Sequence, residues 1–304
     1  MRKVNWKNSF MLLVTAAIWG AAFVAQSVGM EYIGPFTFNC VRNIIGGLVL
    51  IPCIWFLDKW KEKENKSKAK LEEGKDSGDR KKLLTGGTCC GIALFLASNM
   101  QQIGIQYTTV GKAGFITALY IVIVPILGIF LKKKCNVQIW IGVIIAIMGF
   151  YLLSIKDGFR LEIADTYLLG SAVLFSVHIL VIDYFSPRTN GVKMSCIQFF
   201  VCGILSGVVM FLVETPDLRS IFAAWMPVLY AGVLSCGVAY TLQIVGQKDF
   251  HPTIASLILS LESVFSVLAG WIILEQALTR RELLGCILIF CAIVLAQIPI
   301  KRTS

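Results

Sequence analysis

Ten apolar runs, each about as long as the hydrocarbon core of a bilayer is thick, follow one another along the chain at roughly 8–29, 36–57, 83–107, 111–131, 137–155, 166–185, 193–213, 222–245, 253–274 and 283–300. In lipid such a run satisfies its own backbone only as a helix, because an open sheet edge would leave each amide unpaired at a cost of several kcal/mol. The pattern therefore predicts an all-α integral membrane protein with ten transmembrane helices. The first run is too long for a signal peptide and is closed by no small-residue cleavage site, so it reads as a retained helix.

The last five runs repeat the first five. Helix four falls on helix nine at a shift of 138, with Ile116 over Ile254, Leu119 over Leu257 and Pro125 over Ser263. Helices five and ten match at 143, and helices one and two fall on six and seven at 156, placing Thr15 over Ser171, Trp19 over Phe175 and Arg42 over Gln198. Five is odd, so the two halves must lie upside down to one another. An inverted repeat of membrane helices places a solute site between the halves near the midplane, which makes transport the leading reading. The expected organisation is helices one and two of the first repeat at 1–57, a charged cytoplasmic linker at 58–82, helices three to five at 83–155, and the second repeat, helices six to ten, at 156–304.

Composition agrees with lipid as the medium. Hydrophobic residues make up 57% and charged residues 15% of the 304, whereas soluble domains are about 45–50% apolar and about a quarter charged. The net charge of +10 would point to nucleic acid in a soluble protein, but its placement gives it another meaning. With a cytoplasmic N-terminus, twenty-one of the 28 Lys and Arg fall in segments on the inside and six outside, with Arg42 inside a helix. That is the positive-inside bias; it predicts a multi-pass protein of the cytoplasmic membrane with both termini cytoplasmic, and no nucleic-acid partner. Residues 58–82 hold ten basic and seven acidic side chains and read as a solvated tether.

The ten cysteines show no ligand spacing and sit mostly in apolar runs as small packing residues, so no metal site is expected. The four-residue spacings Gly87/Gly91, Gly142/Ala146 and Gly203/Gly207 mark close helix contacts, read as packing within one chain, so an oligomer is not indicated. Pro125 is a candidate kink in helix four. No nucleophile with a base, phosphate-cradling loop or Walker sequence is present, so neither an enzyme nor a cofactor is expected, and any driving energy comes from a gradient.

Polar side chains repeating at helical spacing show which face of a membrane helix avoids lipid. Such rows run through Thr15, Trp19, Ala22 and Gln26 in helix one, Ser98 and Gln102 in helix three, Thr117 and Tyr120 in helix four, Ser171, Phe175 and His178 in helix six, and Tyr240 and Gln243 in helix eight. Uncharged hydrogen-bonding groups among aromatic rings suit a small polar or zwitterionic organic solute. The candidate solute-binding residues are thus Trp19, Gln26, Ser98, Gln102, Thr117, Tyr120, Phe175, His178, Tyr240 and Gln243. Each one alone also fits an interhelical hydrogen bond or packing contact. Arg42 lies six residues inside helix two, about 9 Å deep, within reach of the interface by snorkelling or of a solute carboxylate in a vestibule. Glu262 lies near the midplane, where a carboxylate costs at least a few kcal/mol unless paired or protonated. Glu262 and Arg42 are the candidates for gating or proton coupling, with structural hydrogen bonding as the alternative for Glu262.

Ile18-Trp19-Gly20, Arg42, Gln247-Lys248 leading into Leu261-Glu262-Ser263-Val264-Phe265, and Leu274-Glu275-Gln276-Ala277-Leu278-Thr279 with Leu284-Gly285 together resemble the drug/metabolite transporter superfamily, in its form with two EamA-type repeats of five helices. The resemblance covers nearly the whole chain. It implies a ten-helix bundle whose solute path is lined mainly by helices one, three, four, six, eight and nine, and export of amino acids or similar metabolites. Ser263 departs from the family pattern, in which proline often follows the glutamate, and the charged linker is longer than usual. Nucleotide, sugar or drug carriage within the same superfamily, and a non-transporting receptor or scaffold, are the alternatives. No cluster of basic residues at the midplane provides for multiply phosphorylated solutes.

Overall fold

The computed structural model describes residues 6–65, 76–132, 137–154, 162–248, 250–274 and 279–297. Among these it is all-helical, with ten long helices: α1 (Trp6–Gly29), α2 (Pro35–Asn65), α3 (Asp76–Gln106), α4 (Val110–Thr117 and Tyr120–Phe130), α5 (Val137–Ser154), α6 (Ile163–Phe185), α7 (Gly191–Val213), α8 (Trp225–Gln247), α9 (Pro252–Leu259 and Glu262–Leu274) and α10 (Arg280–Gln297). Eight are long and apolar enough to cross a bilayer unaided; α5 and α10 carry shorter apolar stretches, Trp140–Gly149 and Leu283–Ala292. A short helix, Leu218–Ala223, precedes α8.

Local chemistry fixes several of the starts. Thr109 caps α4, and Asn190 Oδ1 caps α7 by accepting from the amides of Val192 (3.1 Å) and Lys193 (3.2 Å). α2 begins with Pro35 and is capped from a distance: Glu214, just past α7, accepts from Phe36 N (2.9 Å) and Thr37 N (2.8 Å). Helix also enters the expected tether from both sides, to Asn65, where the Lys and Glu of 59–64 are good helix formers outside lipid as well, and from Asp76. The rest of that tether, residues 275–278 of the family motif, and both chain ends lie outside the described residues.

Two contacts between α2 and α7 establish the inversion. The start of α2 meets Glu214 at the end of α7, and Lys193 at the start of α7 pairs with Asp58 of α2 at 2.9 Å. These equivalent helices therefore run antiparallel. The packing also maps onto itself when each helix is exchanged with the one five places along: α1 packs on α8 and α9 as α6 packs on α3 and α4, while α2 meets α7, α4 meets α9 and α5 meets α10. Large apolar side chains on α2, α5, α7 and α10, among them Ile51, Trp55, Ile144, Met148, Val208, Phe211, Ile287 and Phe290, are exposed, as lipid contact requires.

The glycine spacings mark helix crossings inside the chain. A Cβ on Gly87 would lie 2.6 Å from Ile197, one on Gly91 would meet Val201 at the same distance, and one on Gly203 would lie 2.9 Å from Ile44. Gly87 and Gly91 thus seat α3 on α7, and Gly203 seats α7 on α2.

α4 and α9 are broken helices, each interrupted after eight residues, at Ala118–Leu119 and Ser260–Leu261. The breaks align at a shift of 142, one turn away from the 138 expected from residue types. A slip of four residues nearly preserves a helical face, so periodicity could not distinguish the two. The expected kink at Pro125 is not where α4 breaks: the interruption comes before Tyr120. In α9, Ser256, Ser260, Ser263 and Ser266 each turn their hydroxyl back onto the carbonyl three residues earlier at 2.7–2.9 Å, a competitor for the main-chain ladder near the break.

Lys112 at the start of α4 reaches Asp165 at the start of α6 (2.9 Å) and Glu162 (3.5 Å). The Asp165 side chain is 1% exposed and Lys112 26%. Lys112→Met is expected to cost about 2 kcal/mol, below the full penalty for stranding a buried carboxylate because the site is partly wet. Thermal unfolding in detergent measures it. Adding Asp165→Asn should restore most of the loss, and equal melting of wild type and single variant would show that the ion pair contributes nothing.

Candidate functional site

Where α1, α4, α6, α8 and α9 converge, the halves enclose a cavity whose space open to water is about 30 Å³, room for about two or three molecules. Its walls are Trp19, Phe23 and Gln26 of α1, Arg42 of α2, Gln101 of α3, Thr117 and Tyr120 of α4, Phe175 and Ile179 of α6, Ser235, Tyr240 and Gln243 of α8, and Leu259 and Glu262 of α9. Apolar walls with a few convergent polar groups are the composition of small-molecule sites. The space is contracted, so a larger solute enters only if the halves part.

The aromatic wall is built by contact between repeats. Trp19 and Tyr240, one from each repeat, lie 4.5 Å apart between ring centroids, tilted by 57°, and Phe199, of the same repeat as Tyr240, meets that ring edge-on at 5.9 Å. Tyr240 closes an 11-residue π-helical stretch, Tyr230–Tyr240, whose wide turns deliver Ser235 and Tyr240 to the cavity. Its counterpart α3 has no such stretch, so the two repeats differ at the site.

Tyr120 and Glu262 hold equivalent positions, each the first residue after the break in its helix, and the Tyr120 hydroxyl faces the Glu262 carboxyl. Symmetry mates that meet one another lie on the pseudo-two-fold axis, so this pair marks the centre of the bundle. Glu262 is 4% exposed. Five buried polar atoms of cavity-lining residues have no hydrogen-bond partner among the described residues: Trp19 Nε1, Arg42 Nε, Tyr120 Oη, Gln243 Oε1 and Glu262 Oε1. Native interiors rarely leave such atoms unsatisfied unless solvent or a ligand serves them.

Nine of the twelve residues expected from the sequence line this cavity: Trp19, Gln26, Arg42, Thr117, Tyr120, Phe175, Tyr240, Gln243 and Glu262. The other three stand behind it. Ser98 Oγ lies 3.8 Å from Cys202 Sγ, Gln102 Nε2 donates to Gln26 O (3.2 Å), and His178 Nε2 bonds Gln198 Oε1 (3.1 Å). The expectation that Arg42 snorkels to the interface is corrected: it is 2% exposed and turned inward, its Nη1 donating to Gln26 Oε1 at 3.0 Å and its guanidinium 5.6 Å from the Phe38 ring centre. Depth along a helix gives no azimuth, and α2 presents this face to α1.

Phe23, Gln101, Ile179, Ser235 and Leu259 line the cavity without having been singled out. Gln101 carried a usable signal, as half of a Gln-Gln pair only one face of which could point inward. Its amide reaches Thr117 Oγ1 at 3.4 Å, while Gln102 is spent on the α1 backbone. Among the described residues no three His, Cys, Asp or Glu side chains gather as a metal site would require.

Known proteins give the arrangement a family. The model of the EamA-like transporter family matches residues 6–155 and again 162–297. The chain is 30% identical over 294 residues to an uncharacterized transporter of Archaeoglobus fulgidus, covering 95% of this chain and 85% of that protein. It is 24% identical over 299 residues to the uncharacterized transporter YoaV of Bacillus subtilis, covering 96% and 97%. A solved crystal structure at 16% identity superposes with a TM-score of 0.74 over 95% of this chain and 96% of that one, which is a likeness of fold. A multi-pass membrane protein and not an enzyme, with two matched repeats and a shared cavity between them, the chain belongs to the EamA-like transporter family.

Proposed function

We propose that this transporter is a gradient-driven carrier that exports amino acids or related small polar metabolites by alternating access, from a cytoplasmic membrane with both termini on the cytoplasmic side. The observation that carries the reading is the cavity at the pseudo-two-fold axis, where aromatic faces and unsatisfied polar atoms from both inverted repeats converge. Trp19, Tyr120, Phe175 and Tyr240 shape the site, and Gln26, Thr117 and Gln243 supply hydrogen bonds. Ser98, Gln102 and His178 act on it from behind. Glu262 is the gating or proton-linked group, because a buried acid facing a neutral hydroxyl can lose and regain its proton as the cavity opens to either side.

The contacts closing the two ends fit this cycle. At the α1–α2 end, Lys112 binds Asp165, and Gln26 holds Arg42 and Gln102. At the other end, Asn8 donates to Lys248 O (3.0 Å) and Gln247 Nε2 to Ile179 O (2.7 Å). Alternating access releases one set while keeping the other. Flux into proteoliposomes over a panel of amino acids tests the proposal: saturable, competable flux of at least one is expected. Clear flux of another solute class with none of any amino acid would overturn the substrate reading.

A further inference from the structure

Arg42 and Glu262 carry opposite charges when ionised and line one cavity, yet each has a neutral neighbour: Gln26 for the guanidinium and Tyr120 for the carboxyl. A guanidinium stays charged at all accessible pH values, and a charge 98% removed from solvent normally has an anionic partner. Among the described residues Arg42 has none. Its guanidinium contacts the Gln26 amide oxygen and the face of Phe38, and its Nε, buried at the cavity wall, has no partner among them. The α1 main chain at Gln26 is tied to α3, since its backbone carbonyl accepts from Gln102. The fork is therefore held by one edge and left open toward the cavity, the arrangement that receives a planar two-oxygen anion.

Resting on the carrier reading above, we infer that Arg42 is the anchor for a carboxylate of the transported solute, with Gln26 as the residue that positions its guanidinium. The solute class is then carboxylate-bearing, with the carboxylate at the α1–α2 end of the cavity and the rest of the molecule directed past the wall formed by the Trp19 and Tyr240 rings toward Glu262. A residue whose role was merely to join α1 to α2 would need no such open edge.

The test is calorimetric binding to the purified full-length protein in nanodiscs, using three probes of one shape: leucine, leucinamide, which lacks the carboxylate, and 2-hydroxyisocaproate, which keeps it and lacks the ammonium group. The amide is expected to bind about 100-fold more weakly than leucine, the effect of leaving a buried charge without its partner. Arg42→Gln should bring leucine down to the level of the amide while leaving the amide unchanged, and Gln26→Leu should weaken leucine and the hydroxy acid alike by about tenfold while leaving the amide unchanged. Equal binding of leucine and its amide to wild type overturns the inference and leaves the amino-acid reading standing. Arg42-dependent binding of the hydroxy acid without binding of leucine upholds the inference and removes the amino-acid reading. Failure of both carboxylates to bind overturns the inference, and because these comparisons use wild-type protein they hold even if a variant fails to fold.

Discussion

Gly20→Val should abolish the folded protein. A Cβ at Gly20 would fall against Phe265 Cβ, 2.7 Å from the Phe265 carbonyl carbon and 2.8 Å from the Glu262 carbonyl oxygen. Two of these three obstacles are main chain, so no rotamer change relieves them, and α1 must move away from α9. Overpacking against mobile side chains costs about 1–3 kcal/mol; here the cost should exceed about 3 kcal/mol, and Gly20→Ala should already be severely impaired. The displaced helix also carries Trp19, so any protein that survives should lose solute binding. Gly111→Ala is the control: its Cβ would meet only Val267 at 3.9 Å, an ordinary contact, and should leave melting nearly unchanged. Monodispersity and thermal unfolding after detergent extraction measure both. A monodisperse Gly20→Val protein melting like wild type would show that α1 and α9 are not packed backbone to backbone.

Replacing Glu262 by glutamine should uncouple flux from the proton gradient while sparing exchange. The two side chains are nearly the same size and both can bond the Tyr120 hydroxyl, so the cavity keeps its shape, but glutamine carries no exchangeable acid. A gradient of about two pH units corresponds to about 2.7 kcal/mol per proton, sufficient for roughly 100-fold accumulation in a one-for-one exchange. The sign follows from the exchange: with the outside more acidic, each proton entering on Glu262 drives one solute out, so wild-type efflux rises as outer pH falls. The variant should show the same solute-for-solute exchange with no response to outer pH. Counterflow and gradient-driven efflux, measured on the same proteoliposomes, separate the two. An unchanged gradient response in the variant would remove Glu262 from the coupling.

Much of this site was legible as helix faces. Trp19, Gln26, Thr117, Tyr120, Phe175, Tyr240 and Gln243 stood out because hydrogen-bonding and amphipathic aromatic groups in a membrane helix must turn from lipid, and helical spacing shows which of them share a face. The same reasoning could not separate a residue that lines the space from one spent just behind it. Gln101 and Gln102 are adjacent, and only the position of α1, whose Gln26 carbonyl accepts from Gln102, decides which of the two reaches the cavity. Ser235 was hidden for another reason, since a π-helical turn departs from the 3.6-residue spacing on which face-reading depends. Arg42 illustrates the limit of depth as a guide: its position six residues into the helix is a property of the sequence, but its inward direction is set by Gln26 and Phe38.

The sequence by itself determined the medium, the helical class, the odd-numbered repeat and hence its inversion, because apolar run length and the obligation to satisfy every backbone group in lipid leave no other solution. It also marked which residue types must avoid lipid. Only the tertiary structure decided the register of α4 against α9, the meeting of Tyr120 and Glu262 on the pseudo-two-fold axis, and the isolation of Arg42 from the carboxylates among the described residues. A shift of one helical turn leaves every local preference nearly unchanged, so these features are chosen by how the two halves pack against each other, and no single helix contains that information.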